Sequence, residues 1–395
     1  MKLLQEGTFK VSVKTMQFLE PMLAAELKEL GATDIELGKR IVHAKVNLEQ
    51  LYRCNLELRT ALRVLVPIIE FQSRNPEDLY KRVKKVEWDE IIGIDQTFAI
   101  DAAVNSPQYR LPHYAALKAK DAIADYFKEK VGRRPDVDKD RCDVRLHLHI
   151  DEHKATLSLD SSGESLNRRG YRENGAFAPL NEVLAAAMVK LSCWNGEGDL
   201  YIPMCGSGTL AIEAAMIADN VPACWNRSFF GFMNWMGFDQ TLWKAIRAEA
   251  LKNIKEASCR IFASDVDAKL IHIAEGNCEA AGMDKRIRFE REDFFVIKAA
   301  GETGTLIINP PYGERLEQED IDFFYKRIGD HLKQNFSGHT AWVISSNIPA
   351  LKNIGLKPAK RIDLLNGPLE CKYVAIELFR GNRVEFVQKK KGIIE

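Results

Sequence analysis

Apolar and polar residues alternate along this chain in two periods, and the switches between them divide it into three blocks. In the first, Thr8 to Val13 alternates as a strand. Leu19 to Leu30 has helical spacing, with Met22, Leu23, Leu27 and Leu30 on one face, and Gly31 follows as its C-cap. Ile41 to Val46 reads as a strand, Leu48 to Cys54 as a short helix and Thr60 to Ile69 as a strand. In the second block, Asp78 to Val86 is a basic helix, Phe98 to Val104 a strand and Tyr114 to Val131 a helix rich in Ala and Lys. Arg133, Arg134 and Pro135 make a turn. Val144 to Ile150 then sets Arg145, His147 and His149 on one face and Leu146, Leu148 and Ile150 on the other, and Ala155 to Asp160 returns as a hairpin. From Gly163 onward strands and helices alternate. The strands are Leu200 to Ile202, Arg260 to Ala263, Ile287 to Glu290, Gly304 to Ile308 and Thr340 to Ser345. The helices are Asn181 to Leu191, Thr209 to Ile217, Ala268 to Ala281 and Ile321 to Gln334. A C-terminal hairpin is expected over 371–379 and 383–388, with Gly381 and Asn382 at its turn.

These patterns predict three domains. The first block has the β-α-β-β-α-β order of a ferredoxin-like module over residues 1–67, the second is a small α+β domain over 68–162, and residues 163–395 form a doubly wound α/β sheet. A length of 395 residues is too great for one core. Composition adds limits more than identity. Hydrophobic residues at 46% and charged residues at 28% are a soluble, globular balance. No apolar run approaches the roughly 20 residues of a membrane helix, and Gln5 and Glu6 interrupt the N-terminus too early for a signal peptide. A cytoplasmic location is therefore expected, without membrane partners. Eight scattered cysteines form no CxxC pair, which argues against a zinc ribbon or redox motif. With 56 basic and 56 acidic residues, net charge neither supports nor excludes a nucleic-acid partner.

Candidate chemistry gathers at the ends of the strands in the third block. Pro203-Met204-Cys205-Gly206-Ser207-Gly208-Thr209 joins a strand to a helix. Glycines let such a turn approach a ligand, and the helix N-terminus offers free N–H groups; the alternative is a tight turn that binds nothing. Ala211 stands where a dinucleotide fingerprint needs its third glycine, and the Gly-Lys-Ser/Thr of a P-loop is absent. After the next strand, Asp265 is placed to accept from ribose hydroxyls and Asp267 to cap the following helix; both acting only as caps is the competing reading. Asp293 reaches the same sheet edge, where it can accept from an adenine amino group, although alone it reads as a solvated loop residue. Asn309-Pro310-Pro311-Tyr312-Gly313 is the most specific signal. Its prolines donate no N–H, so the Asn309 side-chain oxygen and the Pro310 carbonyl can both accept from one exocyclic amino group. Drawing that nitrogen toward tetrahedral geometry frees its lone pair for a methyl group in line, and Tyr312 can stack on the base.

In this order, these motifs resemble the class I S-adenosylmethionine-dependent amino-methyltransferases. Leu166-Asn167-Arg168-Arg169-Gly170-Tyr171-Arg172, Ala178-Pro179-Leu180 and Asn309 to Leu316 narrow the resemblance to the THUMP-domain RNA guanine-N2 methyltransferases, particularly those similar to the bacterial 23S ribosomal RNA enzyme. That family often carries the label N6-adenine-specific DNA methylase, because the Asn-Pro-Pro-Tyr motif is shared. The resemblance implies a Rossmann-like α/β methyltransferase sheet preceded by ferredoxin-like and THUMP domains, with S-adenosylmethionine as cofactor, ribosomal RNA as substrate and no metal. It implies a cofactor held by Pro203, Met204, Cys205, Gly206, Gly208, Asp265, Asp293 and Asn309, and a base held by Asn309, Pro310, Pro311 and Tyr312. Lys81, Arg82, Lys84 and Lys85 become candidates for RNA phosphates, as do Arg168, Arg169 and Arg172. Two departures stand out: Ile202 where the family has Asp, and Asn181 where it often has Lys. The rival readings are the same chemistry on adenine N6 or a tRNA guanine, and an RNA-binding protein with a degenerate cofactor site.

Two other features carry no site. The excess length between Gly208 and Asp265 holds Trp225, Phe229, Phe230, Phe232, Trp235, Phe238 and Trp243, and is expected to be a helical insertion with its own apolar core, partly exposed near Asn226 and Arg227. His147 and His149 lack a Cys or acidic partner at ligand spacing and are expected to face water or RNA.

Overall fold

Alternation builds the first sheet and continuous apolar runs build the second. The computed structural model describes residues 4, 7–109, 111–172, 179–311 and 318–379, the side chains of residues 318 and 319 excepted. The expected roles of Tyr312 and of the hairpin strand at 383–388 lie outside these residues. The described chain forms two compact units. One takes the residues up to Met16, then Glu20–Arg168 and Arg227–Lys252; the other takes Gln17–Leu19, Arg169–Asn226 and the residues from Asn253 on.

The first unit contains β1 (Phe9–Thr15), α1 (Glu20–Glu29), β2 (Thr33–Gly38), β3 (Ile41–Val46), α2 (Leu48–Glu57) and β4 (Ala61–Gln72), the expected β-α-β-β-α-β order. It continues with α3 (Pro76–Lys84), β5 (Phe98–Asn105), α4 (Pro112–Val131), β6 (Val144–Asp151) and β7 (Lys154–Asp160). Gly31, at φ +79°, ends α1, and the Ala32 amide donates back to the Leu27 carbonyl at 3.0 Å. Asn47 and Gln50 form a reciprocal capping box that starts α2. Strands from both N-terminal blocks join one sheet of order β2-β3-β1-β4-β7-β6-β5, because the long strand β4 pairs with β1 on one side and β7 on the other. On β6, Leu146, Leu148 and Ile150 are buried as the alternation requires. His147 is not turned to water. It is 7% exposed and lies 2.8 Å from the Lys14 ammonium, and burial pushes the imidazole down to about 3, so it serves as a neutral acceptor.

The second unit is the Rossmann-like α/β sheet. It comprises α5 (Glu182–Leu191), β8 (Asp199–Pro203) and α6 (Thr209–Ala218). After α7 (Gln240–Lys252), which belongs to the first unit, come β9 (Ile261–Asp265), α8 (Ala268–Ala280), β10 (Ile287–Arg291) and β11 (Gly304–Ile308). The chain then forms α9 (Gln318–Asn335), β12 (Thr340–Ser345), α10 (Ile348–Asn353), β13 (Lys360–Asn366) and β14 (Leu369–Glu377). The order is β10-β9-β8-β11-β12-β14-β13, parallel through β12, with β14 antiparallel to both its neighbours. A hairpin not named among the expected elements lies within the described residues. β14 pairs backward with β13 around Gly367 and Pro368, where Gly367 takes φ +59°. Asn366-Gly367 was the turn signal to read.

The aromatic-rich segment also differs from expectation. It has no separate core: its rings complete that of the first unit. Tyr52 of α2 stacks on Phe232 with centroids 4.4 Å apart and meets the edges of Phe238 and Trp243 at 5.9 and 6.1 Å. Phe230 stacks on the other side of the cluster, 5.4 Å from Phe232. Arg227, expected near the surface, is buried and donates to the carbonyls of Ser162 and Ser165 at 3.0 Å. Gly231 has to be glycine, because a Cβ there would lie 2.5 Å from the Asp160 carbonyl oxygen. Among the described residues, no helix is long and apolar enough to cross a membrane.

Replacing Phe232 by Ala removes a fully buried, stacked ring. The first unit is expected to lose about 3–5 kcal/mol, read as a lower denaturant midpoint for the Tyr52 and Trp243 fluorescence transition.

Candidate active site

Four parallel strands release their loops at one sheet edge. β9 and β10 continue from β8 in one direction while β11 and β12 lie in the other, so the loops diverge at β8 and leave a crevice. A cleft of about 830 Å³ occupies this position. Met204, Cys205 and Gly206 line it after β8, Asp265 and Val266 after β9, Asp293, Phe294 and Phe295 after β10, and Asn309, Pro310 and Pro311 after β11.

Local hydrogen bonds fix each loop. The Gly206 amide donates to Asp265 Oδ2 at 3.0 Å, and the Asp267 amide donates to Asp265 Oδ1 at 3.1 Å. Each carboxylate oxygen thus keeps capacity for a further donor. Asp267 caps α8, accepting from the Lys269 amide at 2.8 Å, as its position in the sequence implied. Asp293 accepts from the Phe295 amide at 3.0 Å, which holds its loop against the cleft. Met204 is held at φ +57° without being glycine, a strained turn of the kind concentrated at ligand sites. Gly206 also has positive φ, at +57°, and open space where a Cβ would stand. Burial, with Asp265 nearby, pushes the Cys205 thiol far above its ordinary range, so it is an inert part of the wall.

Asn309 ends β11. Its Oδ1 is buried and accepts no hydrogen bond from any described residue. A buried unmatched acceptor costs about 1–3 kcal/mol unless a donor arrives. The two prolines that follow offer none.

Eight of the proposed residues converge here: Met204, Cys205, Gly206, Asp265, Asp293, Asn309, Pro310 and Pro311. Pro203 and Gly208 do not line the cleft. Pro203 is buried as the last residue of β8. Gly208 is the N-cap of α6, and a Cβ there would lie 2.9 Å from that of Ala274, so its role is close packing of α6 on α8. The apolar walls were missed: Phe294 and Phe295, Leu270, Phe324 and Leu369. The Phe294-Phe295 pair directly after Asp293 was the available sign.

The basic residues separate into two groups. Lys81 and Arg82 on α3 and Lys85 at its C-cap are exposed, while Lys84 is held by Glu129 at 2.6 Å. Arg168 is exposed and paired with Glu164 at 3.3 Å. Arg169 is not an RNA contact. It is 1% exposed, and its Nε lies 3.3 Å from Glu213 Oε1, which also accepts from the Tyr171 hydroxyl at 3.1 Å. Arg172 is likewise held inside the second unit, 2.9 Å from Glu182. Neither guanidinium is presented to a phosphate in this conformation.

Three family models match the chain: the RlmL ferredoxin-like domain over residues 10–65, the THUMP domain over 73–160, and the RMKL-like methyltransferase domain over 169–375. A ribosomal RNA large subunit methyltransferase K/L of Syntrophotalea carbinolica is 40% identical over 91% of this chain, and the chain spans 52% of that protein's length. The Synechocystis sp. protein slr0064, named for RNA methylation, is 38% identical over 91% of this chain and 94% of its own. Among solved structures, SMU.472, described as a methyltransferase and complexed with S-adenosylhomocysteine, matches with TM-score 0.87 and 26% identity over 95% of this chain and 100% of its own. A methylase-like protein of Clostridium difficile 630 matches with TM-score 0.86 and 31% identity over 95% of this chain and 100% of its own.

Arg169→Ala leaves Glu213 buried beside an empty space. Stability of the second unit is expected to fall by about 3–5 kcal/mol in chemical denaturation, while RNA affinity of the folded fraction stays unchanged in filter binding.

Proposed function

Because the chain belongs to the RMKL-like methyltransferase family and carries THUMP and RlmL-type ferredoxin-like domains, we propose that it methylates the exocyclic N2 of a guanine in large-subunit ribosomal RNA, using S-adenosylmethionine. One observation carries the reading: a buried acceptor without a partner, Asn309 Oδ1, stands at the strand end beside two residues that cannot donate. An exocyclic amino group is the donor such a pair of oxygens fits.

The cofactor's expected contacts fit the residues present. Asp265 retains acceptor capacity for ribose hydroxyls, Asp293 lies one strand farther along for the adenine, and Gly206 leaves backbone open to a ligand. When bound, S-adenosylmethionine supplies an electrophilic methyl group on a sulfonium. The chain's own part is positioning. Asn309 Oδ1 and the Pro310 carbonyl orient N2, and Tyr312 is assigned to stacking on the base. Phe294, Phe295 and Phe324 wall the cleft against water. The N2 nitrogen takes the methyl group directly, the sulfonium becoming a thioether, and sheds its proton to solvent after attack.

A base inside a helix cannot reach this depth, so the target guanine is taken out of its stack. The ferredoxin-like residues 1–67 and THUMP residues 68–162 are assigned to gripping structured RNA, with residues 227–252 as part of that unit rather than of the catalytic domain 163–395. Lys81 and Arg82 on α3, Lys85 at its C-cap and Arg168 are the phosphate candidates. A ribosomal substrate accords with a cytoplasmic location.

Nucleoside mass spectrometry of ribosomal RNA treated with the protein is expected to show N2-methylguanosine; N6-methyladenosine instead would overturn the base assignment. Asn309→Ala should lower kcat roughly 100-fold and change S-adenosylhomocysteine affinity only a few fold. Asp265→Ala should weaken that affinity roughly 10- to 100-fold in calorimetry.

A further inference from the structure

Arg172, removed from the RNA-facing set, stands at a more informative place. Its Nη2 donates to Thr209 Oγ1 at 2.9 Å and to the Leu180 carbonyl at 3.2 Å, and lies 2.9 Å from Glu182 Oε1. Thr209 is the first residue of α6, and Leu180 directly precedes Asn181, the N-cap of α5. Both Thr209 and Leu180 line the cleft. One guanidinium therefore ties together two chain segments that wall the same space.

That space has a defined occupant under the proposed function, on which this inference rests. Asp293 follows β10 and Asp265 follows β9, so adenine and ribose lie across those two strand ends. The rest of the cofactor extends past β8, toward the loop Met204–Ser207 and the wall formed by Pro179, Leu180, Thr209 and Leu210. It ends in an amino acid. Among the described residues, the acids that line the cleft are Asp265 at the end of β9 and Glu292 and Asp293 after β10; none follows β8, which itself carries Ile202. The α6 N-terminus has no acidic residue in its first turn and no side-chain cap. This end thus favours a carboxylate and relies on backbone N–H groups at fixed positions.

We propose that Arg172 is a positioning residue for the amino-acid end of the cofactor. It acts by holding the Pro179–Leu180 segment at a set distance from the start of α6. Its charge is largely matched by Glu182, so the contribution is geometric. Tyr171 and Arg169 both reach Glu213 Oε1 on α6 and anchor the segment that carries it. Asn181, in place of a lysine, caps α5 by accepting from the Val183 amide at 2.9 Å and adds no second cation.

The test compares two ligands by calorimetry. S-adenosylhomocysteine has the amino-acid end; 5′-methylthioadenosine has the same nucleoside without it. Arg172→Ala is expected to weaken S-adenosylhomocysteine roughly 10- to 100-fold and 5′-methylthioadenosine less than about threefold, so the second ligand reports that the site is folded. Thr209→Val, which keeps the side-chain shape and removes the acceptor, should give a smaller loss with the same selectivity, and Arg172→Lys should recover only part of the Ala loss. Equal weakening of both ligands, or no change in the first, overturns the proposal. If the unaltered protein binds neither ligand, the proposed function itself fails.

Discussion

The first strand of the second sheet lies inside it, so strands later in the chain extend the sheet on both of its sides. β8 is that strand: its neighbours are β9 and β11, and the loops at its carboxyl end turn away from each other. The cleft exists because of this reversal, and each candidate residue owes its place to standing at the end of a strand or within the few residues beyond it. Asp265, Asp293 and Asn309 are separated in sequence yet share one edge because their strands run the same way. The glycines serve the same constraint in different ways. Gly206 leaves space open toward the ligand, whereas Gly208 lets two helices close behind it.

Charge inside the catalytic unit is arranged to hold parts of the backbone together. Arg169 and Arg172 face Glu213 and Glu182, two cations against two anions; Arg169 also reaches the Cys224 thiol, Glu213 the Tyr171 hydroxyl, and Arg172 the Thr209 hydroxyl and the Leu180 carbonyl. Such a cluster adds little net stability compared with apolar packing, but losing one member is costly, because the remaining charges stay buried. This gives it value as a spacer: the segments it joins cannot drift apart without exposing an unpaired ion.

The elements that were legible in the sequence are those set by local rules. The strand-end motifs, the Gly31 stop of α1, the Asp267 cap of α8 and the alternation on β6 follow from periodicity and capping chemistry that a short window contains. What was misread depends on partners far away in the chain. Three arginines in five positions look like a phosphate grip, and only the fold reveals that Glu213 and Glu182 wait for two of them. His147 reads as a polar face, and Lys14 covers it. The rings near Phe232 read as a self-contained insertion because nothing near them in sequence names Tyr52. The hairpin of β13 and β14 went unread, although Asn366-Gly367 is a turn signal that a short window contains.

The excursion of residues 227–252 into the first unit has a consequence for biosynthesis. A chain emerging from the ribosome N-terminus first presents all seven strands of the first sheet once Asp160 is out. The rings of Phe230, Phe232, Phe238 and Trp243 that complete the apolar cluster around Tyr52 are then still to be made. The nascent unit must wait with this side of α2 uncovered while α5, β8 and α6 are translated. Its completion is thereby tied to the synthesis of the first βα element of the second unit, and a chain truncated before residue 227 yields a first unit that lacks part of its own core.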